Sequence, residues 1–315
     1  MRQLQDLAAF VAVARAGGFR EAAIGGSASA STLSDAVRRV EARLGVRLLH
    51  RTTRSVTPTE AGERLFERLA PALAEIDASL DSVNAFRDRP VGRLRLNVPS
   101  VAARLVLPWI VPRFHAAYPD IRVEVMVDES FVDLLAAGCD AGIRYGERLE
   151  QDMIAIPIGP ARQRYAFAAS PAYLAAHGRP SHPRELLGHA CLEACFASGR
   201  SLEWEFEKAG EEIRLEPRGP LLLQVGGGAD LMTDAAIGGM GIVGLFEDWL
   251  QPLFKQGRLE PVLEEWWPSF DGPFLYYSGR RYLPAPLRAF VDFVKSEPCA
   301  RWPGPERPAR TAHEN

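Results

Sequence analysis

The sequence predicts three structural parts in one chain: a small helical head closed by a two-stranded ribbon, a long single helix, and a two-lobed α/β domain. Three observations carry this. Apolar residues recur at three- and four-residue steps from Leu4 to Leu44, the period of helices that bury one face. A further helical run, from Thr59 to Phe86, is too long to bury its stripe in so small a head. From Arg93 onward, short β-branched runs alternate with helical ones, the pattern of a sheet wound with crossover helices. At 315 residues, 47% hydrophobic and 24% charged, the chain suits two globular domains. No apolar run reaches the ~18 residues needed to span a bilayer, and the amino end lacks the layout of a secretion signal.

In the head, Leu4, Leu7, Ala8, Phe10, Val11, Val13 and Ala14 define a first helix that stops at Gly17-Gly18. Phe19–Ser27 is a second helix. Gly25 and Gly26 each cost it ~1 kcal/mol relative to alanine, so it is expected to be short. The third is the best formed, with Leu33, Val37, Val40 and Leu44 on one stripe and Ser34, Arg38, Arg39 and Arg43 on the other. Ser29, Ser31 and Thr32 stand at its start, where hydroxyls cap free amides or donate to phosphates and base edges. Gly45 ends it. Val46–Leu49 reads as a strand, His50–Ser55 as a turn and Val56 as the return. That ribbon carries Arg51 and Arg54 at a height suited to a phosphate backbone. A helix with one apolar face and one hydroxyl-and-arginine face is what a major-groove reader needs, although such a helix alone is more often a solvated surface. Charge favours the reader. The first 60 residues hold nine arginines and no lysine against five acids, a net of +4, which leaves -7 of the whole-chain -3 for the rest.

Thr59 caps the long helix, with Glu60 and Glu63 at its positive end. Leu65, Leu69, Ala72, Ile76, Leu80, Val83 and Phe86 mark a seam near seven residues per two turns. Such a seam implies a partner helix, the alternative being a helix that lies along its own domain. Beyond a hinge at 87–92, Arg93–Val98 is a strand, Val101–Tyr118 a helix, Ile121–Val127 a strand, Phe131–Ala137 a helix and Cys139–Arg144 a strand, with Ile154–Ile158 continuing the sheet. Near 159–164 the chain enters a second lobe through Ala166–Ala169, Pro171–His177, the Cys191 region, Leu221–Val225 and Ile242–Leu245. Leu259–Leu263 is expected to lead back, to Phe274–Tyr277 and a last helix, Ala285–Lys295.

The stretch LSDAVRRVEARLGVRLLHRTTRSVTPTEAG, residues 33 to 62, closely resembles the LysR-type transcriptional regulators. Asp35 departs from the pattern, since that position is often basic or His. The second half is similar to the effector domain of the same family through FVDLLAAGCDAGIRYGE, ASPAYLAAHGRP, LMTDAAIGGMGIVGLFEDWL and SGRRYLPAPLRAFVDFV. The resemblance spans residues 1 to about 296. It implies an all-α winged helix-turn-helix over 1–58, a linker and dimerisation helix over 59–89, and a periplasmic-binding-protein-like effector domain over 90–300. Lobe I would take about 90–161 and 267–300, lobe II about 162–266, and 301–315 a disordered tail. It further implies a double-stranded DNA operator and a small-molecule effector as partners, a homodimer or homotetramer, and a cytoplasmic location. RNA polymerase stands as a further candidate partner.

Ligands of open α/β sheets sit beyond the carboxyl ends of the strands. Ser100 and Val101 follow the first strand and open a helix, so their amides favour an anion such as a carboxylate. Ser130 follows the second strand and Arg144 ends the third. Across the cleft the resemblance adds Phe196, Ser198, Gly226 and Gly227. The rival reading, an enzyme or solute-binding protein on the same clamshell, predicts a catalytic cluster or a secretion signal, and the sequence carries neither. Gly239-Met240-Gly241-Ile242-Val243-Gly244 fits GxGxxG but follows a helix and precedes a strand, the reverse of a dinucleotide site. Cys191 and Cys195 with His189 fall short of a metal set. No cofactor, metal or catalytic residue is expected.

Overall fold

The computed structural model describes residues 2–24, 28–51, 56–84, 90–129, 138–146, 153–226, 228–279 and 283–297. The head is α1 (Arg2–Ala16), α2 (Phe19–Ile24) and α3 (Ala30–Leu44), packed around Phe10, Val13, Val37 and Val40, all wholly buried. The stripe on α3 is Leu33, Ala36, Val37 and Val40. Leu44, expected on it, is 46% exposed, because the last turn runs past the core. The second helix stops at Ile24, short of Ser27, and 25–27 lie outside the described residues. Gly45 ends α3 at φ 69, and its amide bonds the Glu41 carbonyl, a left-handed turn that favours glycine.

The ribbon is β1 (Leu49–Arg51) paired antiparallel with β2 (Val56–Pro58), His50 opposite Thr57. It starts three residues later than the sequence suggests, and Val46 is 47% exposed. The ribbon leads into α4 (Glu60–Asn84). Thr59 caps it, accepting from the Gly62 amide at 3.1 Å and donating to the Arg47 carbonyl at 2.8 Å. A Cβ on Gly62 would stand 2.0 Å from the Leu48 carbonyl oxygen, so only glycine lets α4 seat on the ribbon. Leu65, Leu69 and Leu73 are half-buried against the head's own core, and Ala70 is buried in it. The first half of the expected seam is therefore occupied within the chain. Ile76 is 40% exposed. The side chains of Leu80 and Val83 lie outside the described residues, as does Phe86.

Lobe I holds β3 (Gly92–Val98), α5 (Ser100–Leu105), α6 (Leu107–Ala117), β4 (Ile121–Val127), β5 (Ala141–Arg144) and β6 (Met153–Pro157). The single helix expected over 101–118 is broken at Val106, two residues before Pro108, which has no amide to continue the helical bonding. The expected helix at 131–137 falls outside the described residues.

Lobe II begins with the central strand β7 (Arg162–Ala169), then α7 (Pro171–His177) and a 3-10 turn at Pro183–Gly188. It continues through β8 (Glu193–Cys195), the hairpin β9 (Trp204–Lys208) and β10 (Glu211–Leu215), and β11 (Leu222–Gln224). After α8 (Ala229–Ile237), β12 (Val243–Phe246) and α9 (Glu247–Lys255) come β13 (Glu260–Val262), a 3-10 turn at Glu264–Trp266, and β14 (Ser269–Asp271). Both β13 and β14 pair with β7. Leu259–Leu263 thus stays in lobe II instead of leading back, and lobe II runs to Asp271, not 266.

The return strand β15 (Phe274–Ser278) enters the lobe I sheet, and α10 (Ala285–Ser296) covers it. The order there is β4-β3-β5-β15-β6, parallel among β4, β3 and β5 and antiparallel where β15 meets β5 and β6. Each lobe has its own core, around Phe114 and Phe290 in one and Phe167 and Phe206 in the other. The two crossing segments run side by side. Ile158 donates to the Pro273 carbonyl and Gly272 to that of Ala161, both at 2.9 Å. A Cβ on Gly272 would lie 1.7 Å from the Pro160 oxygen.

Candidate functional site

Two surfaces can do chemistry, one on the head and one between the lobes. On the head, burial of the α3 stripe turns Ser31, Thr32, Asp35 and Arg38 outward. The Ser29 hydroxyl accepts from the Thr32 amide at 3.2 Å and lies 2.8 Å from Ser31 Oγ and 2.9 Å from Thr32 Oγ1. These hydroxyls therefore form one small polar cluster at the positive end of α3. Arg38 is well exposed, with Asp35 3.8 Å away, a spacing at which a surface pair contributes little.

Two arginines of this region are engaged by partners within the head. Arg39 grips Asp6 of α1 through Nε at 3.0 Å and Nη2 at 2.6 Å, a two-point contact that sets the angle between α1 and α3. Arg51 donates to Glu41 Oε2 at 3.1 Å and Ser34 Oγ at 3.3 Å and lies over the Phe19 ring, 4.9 Å from its centroid. Glu41 also accepts from the Leu48 and Leu49 amides at 2.9 and 3.2 Å. The ribbon's root is thus fastened to α3 by one carboxylate, a role the sequence did not announce. Arg54 lies outside the described residues.

Between the lobes lies a cavity of about 940 Å³, near the upper end for small-molecule sites. Ser100, Val101, Phe196 and Gly226 line it, as expected from the sequence. Arg144 and Ser198 are not among the lining residues. Arg144 turns back on the sheet, donating to the Asn97 side-chain oxygen and to the Asn97 and Ile143 carbonyls, the last two at 3.2 and 2.7 Å. Ser198 is exposed on the turn after Phe196. Ser130 and Gly227 lie outside the described residues. The Ser100 amide, offered by the sequence to a carboxylate, already donates to Glu129 Oε1 at 2.7 Å. Glu129 also faces the opposite lobe, since a Cβ on Gly226 (φ 126) would lie 3.1 Å from its Cγ.

Sequence reasoning missed most of the wall. Tyr145, Tyr165, Phe246, Trp249 and Phe270 all line the cavity, with Phe246 5.2 Å from Tyr145 and 5.5 Å from Phe270, centroid to centroid. These rings come from strands, a strand end and the helix α9, far apart in the chain, so no local spacing marks them. The Tyr165 hydroxyl donates to the Gly244 carbonyl at 2.7 Å. Burial pushes both phenols well above their ordinary range, Tyr145 being raised further by Asp248 and Glu129. A clasp spans the cleft beside them. Arg104 of α5 bonds Asp230 of α8 and stacks on the Trp249 ring, 3.8 Å from its centroid.

The GxGxxG run is the turn from α8 into β12, where Gly241 (φ 156) passes so close to Ala190 that a Cβ would meet its carbonyl oxygen at 2.4 Å. Among the described residues no three His, Cys, Asp or Glu side chains gather as a metal would require.

Comparison with known proteins agrees with this division. Residues 4–63 match the family described as bacterial regulatory helix-turn-helix protein, lysR family, and residues 87–298 match the LysR substrate binding domain. The chain is similar to the HTH-type transcriptional regulator YcaN of Escherichia coli, 41% identical over 93% of this chain and 95% of that protein. It is also similar to the HTH-type transcriptional regulator PgrR of the same organism, 37% identical over 93% and 97%. Among solved structures, the full-length Vibrio cholerae virulence activator AphB superposes with a TM-score of 0.65 at 27% identity, covering 93% of this chain and 99% of that one. With a helix-turn-helix head, a connecting helix and a cleft between two lobes all in place, this chain belongs to the LysR-type transcriptional regulators, which bind operator DNA, respond to small-molecule effectors and form oligomers.

Proposed function

We propose that this regulator reads its operator through the amino end of α3, with Ser31, Thr32 and Ser34 at base edges and Arg38 on phosphate. Ser29 shapes that end as its cap, and Arg54 reaches the backbone from the ribbon. Arg51 acts here as a fastener for the ribbon, because Glu41 and Phe19 already engage it. Two copies pair through the far half of α4, with Ile76, Leu80 and Val83 on the shared seam, and so set the spacing of two heads along the duplex. Leu65 and Leu69 serve the head.

The effector occupies the cavity between the lobes, against Ser100, Val101, Phe196 and Gly226. It modulates DNA binding only to the extent that it binds the open and closed arrangements unequally. RNA polymerase is the partner in the activating mode. The protein works in the cytoplasm, where its operator is. One observation supports this reading above others: the outward face of α3 carries a hydroxyl cluster and Arg38 while its inward face is spent on the core.

The test is binding of the full chain to the DNA beside its own gene across a salt series. Arg38→Ala should weaken binding to all duplexes and reduce the slope of log K against log salt by about 0.9 per head, about 1.8 for the pair. Replacing Ser34 with a bulky residue should change which sequence is preferred. An unchanged slope together with an unchanged preference would remove α3 as the reader.

A further inference from the structure

We infer that the interlobe cavity is built for an aryl or alkyl amine, a cationic or cation-bearing apolar molecule, and not for a carboxylate. This rests on the cleft being the effector site. The walls are dominated by rings. Arg104 already lies over Trp249 and Arg200 over Phe196, so the faces offered to a cation are those of Tyr145, Phe246 and Phe270. The charged groups that line the cavity are Glu129, Glu205 and Asp271 against a single Arg162. That arginine is already committed. It donates to Ser269 Oγ at 3.1 Å and to the Ser269 carbonyl at 3.0 Å, and it lies 3.5 Å from Asp271. Glu205 has Arg214 at 3.3 Å.

Glu129 is different. It is half-buried, stands on the cleft wall between Ser100 and Gly226, and accepts from the Ser100 amide, with no cation bridged to it among the described residues. The helix-start amide that could receive a ligand carboxylate is therefore filled by a protein carboxylate. An incoming anion would meet Glu129 at short range in a ring-lined space, where like charges repel. An ammonium would meet both a carboxylate and several aromatic faces.

The experiment uses the full-length protein and three shape-matched probes: 2-phenylethylamine, 2-phenylethanol and 3-phenylpropionate. Each is titrated by calorimetry and by thermal melting, with operator binding measured in parallel. The amine should bind at least about tenfold tighter than the carboxylate, from the combined ion-pair and ring contributions. Glu129→Gln keeps an oxygen for the Ser100 amide, so the fold is retained, and it should erase the amine's advantage while leaving the alcohol unchanged. Tighter binding of the carboxylate, or an amine preference that survives Glu129→Gln, overturns the ligand class and leaves the cleft as effector site. If none of the probes binds, the amine assignment is overturned and the effector reading of the cleft is not.

Discussion

The helix α4 divides between two tasks, and substitutions at Leu69 and Ile76 should separate them. Leu69 is half-buried on the head's core, so Leu69→Ala should cost the head about 1–3 kcal/mol, below the full range for a wholly buried leucine. For a domain of this size that lowers the first melting transition by roughly 5–15 °C. Ile76 is 40% exposed within the chain, so Ile76→Asp should leave melting of the monomer nearly unchanged. In a two-fold pair it would lose its apolar contact twice. An exposed area of roughly 70 Å² per copy at ~25 cal/mol/Å² corresponds to ~3.5 kcal/mol for the pair. That is a dimer weakened by two to three orders of magnitude, roughly, before the repulsion of two carboxylates is added. Sedimentation velocity of both variants, with melting curves, reads the two effects separately. If Ile76→Asp stays dimeric at micromolar concentration, or Leu69→Ala dissociates without any loss of melting temperature, the division of α4 argued above is wrong.

Removing the clasp with Arg104→Ala should loosen the cleft, with amide exchange in α5 and the start of α8 faster by roughly 5- to 30-fold, from a ring stack plus one exposed ion pair; unchanged exchange would show that the clasp carries no load. Gly272→Ala should melt the effector domain at a lower temperature or abolish its folding, because overpacking against the Pro160 carbonyl costs about 1–3 kcal/mol or more; a wild-type melting curve would count against the hinge packing. Burial pushes the Cys191 thiol up to about 12 from 9.0. The unfolded chain therefore releases this proton first, and stability should fall as pH rises between 9 and 12, by at most ~1.4 kcal/mol per pH unit. Cys191→Ala should flatten that alkaline decline in a denaturant titration, and an equal slope in both proteins would refute it.

Local signals were readable. The Ser29 cap, the Gly45 stop and α7 at Pro171–His177 stand where sequence reasoning puts them, since each depends on residues within a few positions. What failed was non-local. Nothing near Arg144 reveals that Asn97, 47 positions away, takes its guanidinium. Nothing in Leu259–Leu263 tells which sheet edge it will join, and β7 claims it. Leu65 and Leu69 fit a seam by period alone, but period does not say whose surface covers them. The cavity was half legible: strand ends point to Ser100 and Val101, whereas the ring-lined wall exists only once both lobes have folded.

The seating of α4 on the ribbon has a mechanical corollary. Gly62 touches the Leu48 carbonyl and Thr59 is bonded on both sides, so the start of the helix turns with the head instead of swivelling on it. Twenty-five residues make an arm ~37 Å long at 1.5 Å per residue. Tilting it by ~10° carries its tip roughly 6 Å, close to two base-pair steps of duplex. A slight change of angle at one end thus becomes a change of register at the other.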